Sequence, residues 1–210
     1  SCRSLVKSDY ILYLNDDMYT LPNWDLELKK EIDLIDHNSF MLSGTMIEPN
    51  DTGNDCVVVK DFGSDLSDFN EKELLNQQQS LVRNNWNGST WPPNVIHVDL
   101  WDLVGGMSIE FSPGMYSDPD LSMKLWQAGV RHFKGVGSSL VYHFGSKSTR
   151  RVKKNIGRNT FLLKWGITAN TFSKKFLQKG ADFNGALKDT ELDFQNSTTN
   201  KLKRILKAFK

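Results

Sequence analysis

Three short stretches of this 210-residue chain carry side chains suited to chemistry. In LNDDMYTLPNW, residues 14–24, Asp16 and Asp17 stand side by side after an apolar run. Adjacent carboxylates repel, so a divalent cation that both can approach is a physical reason to keep them together; a solvent-exposed turn is the bland alternative. In residues 105–129, Asp118 precedes Pro119, and Asp120 follows it. Proline suits the first helical position, which makes Asp118 an N-cap with a lowered pKa and Asp120 a partner of the helix dipole. In VYHFGSKS, residues 141–148, His143 ends an apolar segment and Gly145, Ser146 and Lys147 follow. Imidazole is a common metal ligand, and a Gly-Ser-Lys stretch can meet phosphates through backbone amides and an ammonium. A satisfied core histidine is the alternative there.

Elements able to position these groups alternate along the chain. Residues 10–14 are apolar on both pleat faces, as expected of an interior strand in a covered sheet. Asn23 is placed to cap a helix in which Trp24, Leu28, Ile32 and Ile35 recur at helical spacing. Residues 40–47 and 56–62 read as strands separated by the turn-rich PNDTGND. A mostly polar helix over 71–85, a long loop NWNGSTWPPN and a short element over 99–104 follow. A helix over 119–128 stops at Gly129, and 131–134 and 140–144 read as two short strands. This alternation predicts an α/β sandwich with a largely parallel sheet, whose ligands gather at the carboxyl ends of strands.

Composition limits the classes of function. With 39% hydrophobic and 11% aromatic residues the chain can bury a sizeable core. No stretch reaches the roughly 18 apolar residues of a membrane span, and SCRSLVKSDY lacks the apolar centre of a signal peptide. Cys2 and Cys56 form no CxxC or Cys/His cluster, so neither zinc nor a disulfide framework is indicated. The net charge of +1 conceals a division: residues 1–146 hold 10 Lys and Arg against 21 Asp and Glu, and residues 147–210 hold 16 against 4. The basic segment is expected to meet phosphates, an anionic membrane or the acidic body itself. Nucleic acid is not expected, because the basic residues lie outside the acidic part that holds the motifs.

Taken in order, LNDDM, WDLVGGMSIEFSPGMYSDPDLSMKLWQAG and VYHFGSKST resemble the inverting glycosyltransferases of family 2, which have the GT-A fold. The resemblance covers roughly residues 5–165. It implies a partial, N-terminally incomplete α/β GT-A domain over 1–146, with a mostly parallel sheet, and a basic, mostly helical extension over 147–210. It also implies that Asp17 and His143 hold Mn²⁺ or Mg²⁺, and that Asn15, Asp16 and Lys147 meet a nucleotide-sugar donor. Asp118 then matches the general base that deprotonates the acceptor hydroxyl. Asn15 and Ser117 depart from the family pattern, standing where Asp and Glu are usual.

Trp91, Trp101, His97 and Asp120 are the candidates for holding a glycan or lipid-linked acceptor; packing beneath a loop is the alternative for the aromatics. The expected activity is metal-dependent sugar transfer with inversion. A non-catalytic sugar- or nucleotide-binding remnant and a nucleotidyltransferase are the other readings. In KLKRILKAFK, Leu202, Ile205, Leu206 and Phe209 recur at helical spacing among lysines and an arginine. This predicts a basic amphipathic helix on an anionic membrane, with the protein cytoplasmic and peripheral. A helix docked on the acidic body is the alternative. In the family resembled, further β/α units precede the DXD strand, so the chain is expected to be the later part of a longer protein; completion of the sheet by a partner chain is the alternative.

Overall fold

The computed structural model describes residues 2–88, 90–112, 115–145 and 156–208. It is an α/β protein built on a mixed seven-stranded sheet. The strands are β1 (Tyr10–Tyr13), β2 (Met18–Thr20), β3 (Phe40–Glu48), β4 (Val58–Val59), β5 (Trp86–Asn87), β6 (Asn94–His97) and β7 (His132–His143). Their spatial order is β1-β6-β3-β7-β2, with β4 beside β3 and β5 beside β7. Only β3 with β4 and β3 with β7 run parallel; the other pairings are antiparallel. The expected largely parallel sheet is therefore corrected to a mixed one. Its antiparallel pairings join strands far apart in the chain, β1 and β3 with β6 and β2 and β5 with β7, so the order of elements along the chain does not reveal them.

The centre of the sheet is β3, whose first eight residues are all buried, paired with the long β7. What reads as two short strands over 131–134 and 140–144 is this single strand with an irregularity. Gly44 pairs with Val136 but Thr45 pairs with Leu140, so β7 carries three extra residues at 137–139. Gly137 makes that excursion feasible: a Cβ there would lie 1.8 Å from the carbonyl oxygen of Arg83. By contrast β1 lies at the end of the sheet and pairs only with β6 among the described strands, leaving Leu12 and Leu14 partly exposed. Residues 10–14 are thus an edge, and the expectation of an interior strand is corrected.

Among the described residues there are seven α-helical segments: α1 (Trp24–Asp33), α2 (Glu71–Gln77), α3 (Val98–Val104), α4 (Ser117–Gln127), α5 (Gly157–Trp165), α6 (Ala169–Thr171) and α7 (Phe194–Ala208). Asn23 borders α1 in a left-handed conformation without a side-chain cap bond, so it does not cap as expected. The predicted helix over 71–85 ends at Gln77 and continues as a 3-10 turn, Gln78–Leu81. The predicted strand over 56–62 shortens to two residues, although Cys56, Val57 and Phe62 remain buried.

The largest hydrophobic cluster joins both charge halves: Met41, Leu121, Trp126 and Phe133 pack with Phe161, Phe172, Leu177 and Leu187. The change in charge near Ser146 is therefore no boundary in the core. Burying these aromatic and aliphatic side chains stabilises by roughly 1.5–3 kcal/mol each. No helix among the described residues is long and apolar enough to cross a membrane.

Candidate active site

Strand register brings the first group of candidates together. Asp16 and Asp17 form the turn between β1 and β2, and Met18 pairs with His143 at the end of β7. The amide of Phe144 donates to the carbonyl of Asp17 at 3.2 Å, fixing that turn beside the strand end. Parallel pairing of Ile47 with Tyr142 places the next residue, Glu48, beside His143 on its other side. The three extra residues of β7 decide this outcome, since an uninterrupted ladder would set Leu140 opposite Glu48.

His143 consequently sits between two carboxylates. Its Nδ1 lies 2.8 Å from Glu48 Oε1 and its Nε2 lies 3.4 Å from Asp17 Oδ2. Burial by itself would lower the pKa of this imidazole. The hydrogen bond to Glu48 and the charge of Asp17 outweigh burial and raise it. Asp17 Oδ1 is buried without a hydrogen-bond partner among the described residues.

A carboxylate and an imidazole are both donor types that divalent cations accept. Asp17 Oδ1 has no hydrogen-bond partner among the described residues, and His143 Nε2 faces the same carboxylate while Nδ1 is held by Glu48. Among the described residues no three His, Cys, Asp or Glu side chains converge as a complete ligand group. Asp17 and His143 are the residues that would hold such an ion.

The second element is α4. Tyr116 adopts a left-handed conformation and the helix begins at Ser117, so Asp118 lies inside the first turn. The expectation of an N-cap with a lowered pKa is corrected on both counts. Although the residue keeps some exposure, Asp118 Oδ1 is enclosed and has no hydrogen-bond partner among the described residues. Burial pushes this carboxyl up to about 7. Tyr13, on β1, marks the proximity of the two groups: burial first, then the charges of Asp118, Asp16 and Asp17, raise the pKa of its phenol.

A cleft of about 770 Å³ collects these residues. Asn15, Asp16, Asp17, Glu48, Asp118 and His143 line it, together with Tyr13 and Trp91. The loop 52–55 and residues of the basic segment, including Lys174 and Lys179, complete the lining. The basic segment therefore does meet the acidic body, supplying cations to a cleft whose other lining charges are carboxylates. Lys179 stands 3.1 Å from the centre of the Trp91 ring. That contact covers a face of Trp91 which the sequence assigned to a sugar, while Trp91 also packs against Met46, Val57 and Val141. Burial lowers the Lys179 ammonium to about 8, against the opposing influence of Cys56 and Asp55. The room for its side chain comes from Gly88, where a Cβ would lie 2.5 Å from Lys179 Cγ.

Three predicted acceptor residues lie elsewhere. His97 is paired with Tyr10, at the opposite end of β1 from the acids, and its Nδ1 accepts the amide of Asp99 at the start of α3. Trp101 packs into the main cluster against Gly106. Asp120 is wholly buried and accepts from Ser108 Oγ at 2.5 Å and Trp165 Nε1 at 2.8 Å, with Lys164 Nζ at 2.9 Å. All three hold the architecture and none lines the cleft. Lys147 falls outside the described residues.

Glu48, Tyr13 and Lys179 are cleft residues that sequence reasoning missed. Glu48 ends an apolar strand with a single acid, the same signal that drew attention to Asp16 and Asp17. Lys179 has no such local signature; it lies between Gln178, at a positive φ, and Gly180, in a segment read only by its net charge. The sequence matches no protein-family model and no curated protein.

Proposed function

We propose that the chain is an inverting, metal-dependent glycosyltransferase of the family 2 type, with a GT-A fold, that uses a nucleotide-sugar donor. The observation carrying this reading is the single cleft that unites an orphaned carboxylate beside an oriented histidine with a second, desolvated carboxylate of pKa about 7. A general base works best with a pKa near the operating pH, which Asp118 meets.

In this reading Asp17 and His143 hold Mn²⁺ or Mg²⁺, and Glu48 fixes the imidazole by accepting Nδ1–H. The ion, when bound, offsets the negative charge that grows on the departing diphosphate. Asn15 and Asp16 face the donor, and Lys174 and Lys179 meet its anionic groups from the opposite wall. Asp118 accepts the proton of the acceptor hydroxyl as that oxygen attacks the anomeric carbon. The bond from that carbon to the diphosphate oxygen breaks with its electron pair on the diphosphate, inverting the configuration. Such base assistance contributes on the order of 10²- to 10⁴-fold.

A screen of nucleotide-sugar donors with Mn²⁺ or Mg²⁺, read by release of nucleoside diphosphate, tests the proposal. Metal-dependent release supports it. Pyrophosphate release from a nucleoside triphosphate would replace it with the nucleotidyltransferase reading. Metal-dependent nucleotide binding without product would leave only a binding remnant.

A further inference from the structure

The C-terminal helix α7 is anchored to the body at Asn200, and its last two turns, residues 201–208, are exposed, the apolar Leu202, Ile205 and Leu206 included. Successive residues of a helix are rotated by about 100°, so Leu202, Ile205 and Leu206 share an arc about 100° wide. Their exposures are 57%, 54% and 66%, and none joins a hydrophobic cluster of the body. Asn200, projecting about 170° from the centre of that arc, is only 2% exposed. Its Oδ1 accepts the amide of Thr168 at 2.9 Å, and its Nδ2 donates to the carbonyl of Asn196 at 2.8 Å. Arg204, on the same side as Asn200, reaches over Gly166. Burial alone would have turned the apolar arc toward the body, which leaves it free for another surface.

The charges around this arc favour one occupant. No Asp or Glu occurs within α7, whereas Lys201, Lys203, Arg204 and Lys207 all do. Lys201 and Lys203 project about 100° to either side of Leu202, flanking the apolar arc, while Asn200 and Arg204 face the body. Cations beside an apolar strip fit a bilayer carrying anionic headgroups, with lysine stems lying along the acyl boundary and ammonium groups among the phosphates. A second copy of the same face would instead bring like charges together.

We propose that α7 is a peripheral membrane contact that seats Leu202, Ile205 and Leu206 in an anionic lipid surface. This inference is independent of the catalytic reading, since it concerns no residue of the cleft. Co-sedimentation of the full chain with phosphatidylcholine vesicles, and with vesicles also containing phosphatidylglycerol, tests it. Partition is expected to be at least about tenfold stronger on the anionic vesicles. The variant Leu202→Gln/Ile205→Gln/Leu206→Gln should bind at least about tenfold more weakly, with its melting temperature unchanged. If that variant does not fold, Lys201→Gln/Lys203→Gln decides, with an expected loss of roughly tenfold on anionic vesicles. Equal partition on both vesicle types, or triple-variant binding equal to the parent, overturns the proposal. A parent dimer in sedimentation equilibrium that the triple variant abolishes, without vesicle binding, assigns the face to a second copy and overturns it as well.

Discussion

The first turn of α4 faces two regions of the molecule, and its two aspartates have opposite fates. Asp118 turns to the cleft, where one oxygen is enclosed with no donor among the described residues, and its pKa rises to about 7. Asp120, two residues on, turns to the core, where it is more deeply buried yet served by Ser108, Trp165 and Lys164. Depth alone therefore does not set chemical character. Burial without partners stores a proton-accepting group in an uncomfortable state, whereas burial with partners ties helices together.

Substitutions at the two positions should separate these effects. The largest change is expected for Asp118→Asn, which should lower turnover about 10²- to 10⁴-fold while donor binding survives. A loss below threefold in steady-state assays would remove Asp118 from the chemistry. Asp120→Ala should act mainly on stability, by about 3 kcal/mol, because it strands the indole N–H of Trp165 and weakens the hold on Lys164. Calorimetry should show the drop, and if the variant melts like the parent, the core assignment of Asp120 fails.

The pH dependence of stability sharpens the contrast further. The folded-state pKa of Asp118 lies above the ordinary 3.8. Its protonated form therefore supports the fold fully below about pH 4, and that support is lost as pH rises through about 7. Discounted for the partial exposure of the residue, the loss is about 2 kcal/mol. Asp118→Asn cannot ionise, so it should be more stable than the parent at pH 8 and similar at pH 4, as read by denaturant titration. A parent that gains stability across that range relative to the variant would contradict a desolvated Asp118. The smallest effect is expected for Glu48→Gln, which keeps an acceptor for His143 Nδ1–H but removes the charge. The metal concentration needed for half-maximal activity should rise by up to about tenfold. No rise would separate Glu48 from the metal site.

Local signals in the sequence carried part of the site. Asp16, Asp17, Asp118 and His143 were legible because each ends or begins a recognisable element, and such ends gather at one rim of a sheet. Glu48 was equally local but stood alone. His97, Trp101 and Asp120 stand apart from the cleft, since residue type says what a side chain can bond, not which way its element faces. The same limit applies to α7, whose apolar arc was readable from spacing while its outward direction rests on Asn200.

The sequence by itself determined the periodicities, the charge division, the acids at the ends of apolar runs and most of the helix and strand positions. These depend on neighbours a few residues away, which the chain order states directly. Only the tertiary structure decided that the sheet is mixed and that β1 is an edge. It also decided that three extra residues in β7 bring His143 to Glu48 and Asp17. The pKa of Asp118 belongs to the same class: a cap and a desolvated carboxyl share the sequence Asp-Pro, and what distinguishes them is the solvent and donors that the rest of the fold leaves around one oxygen.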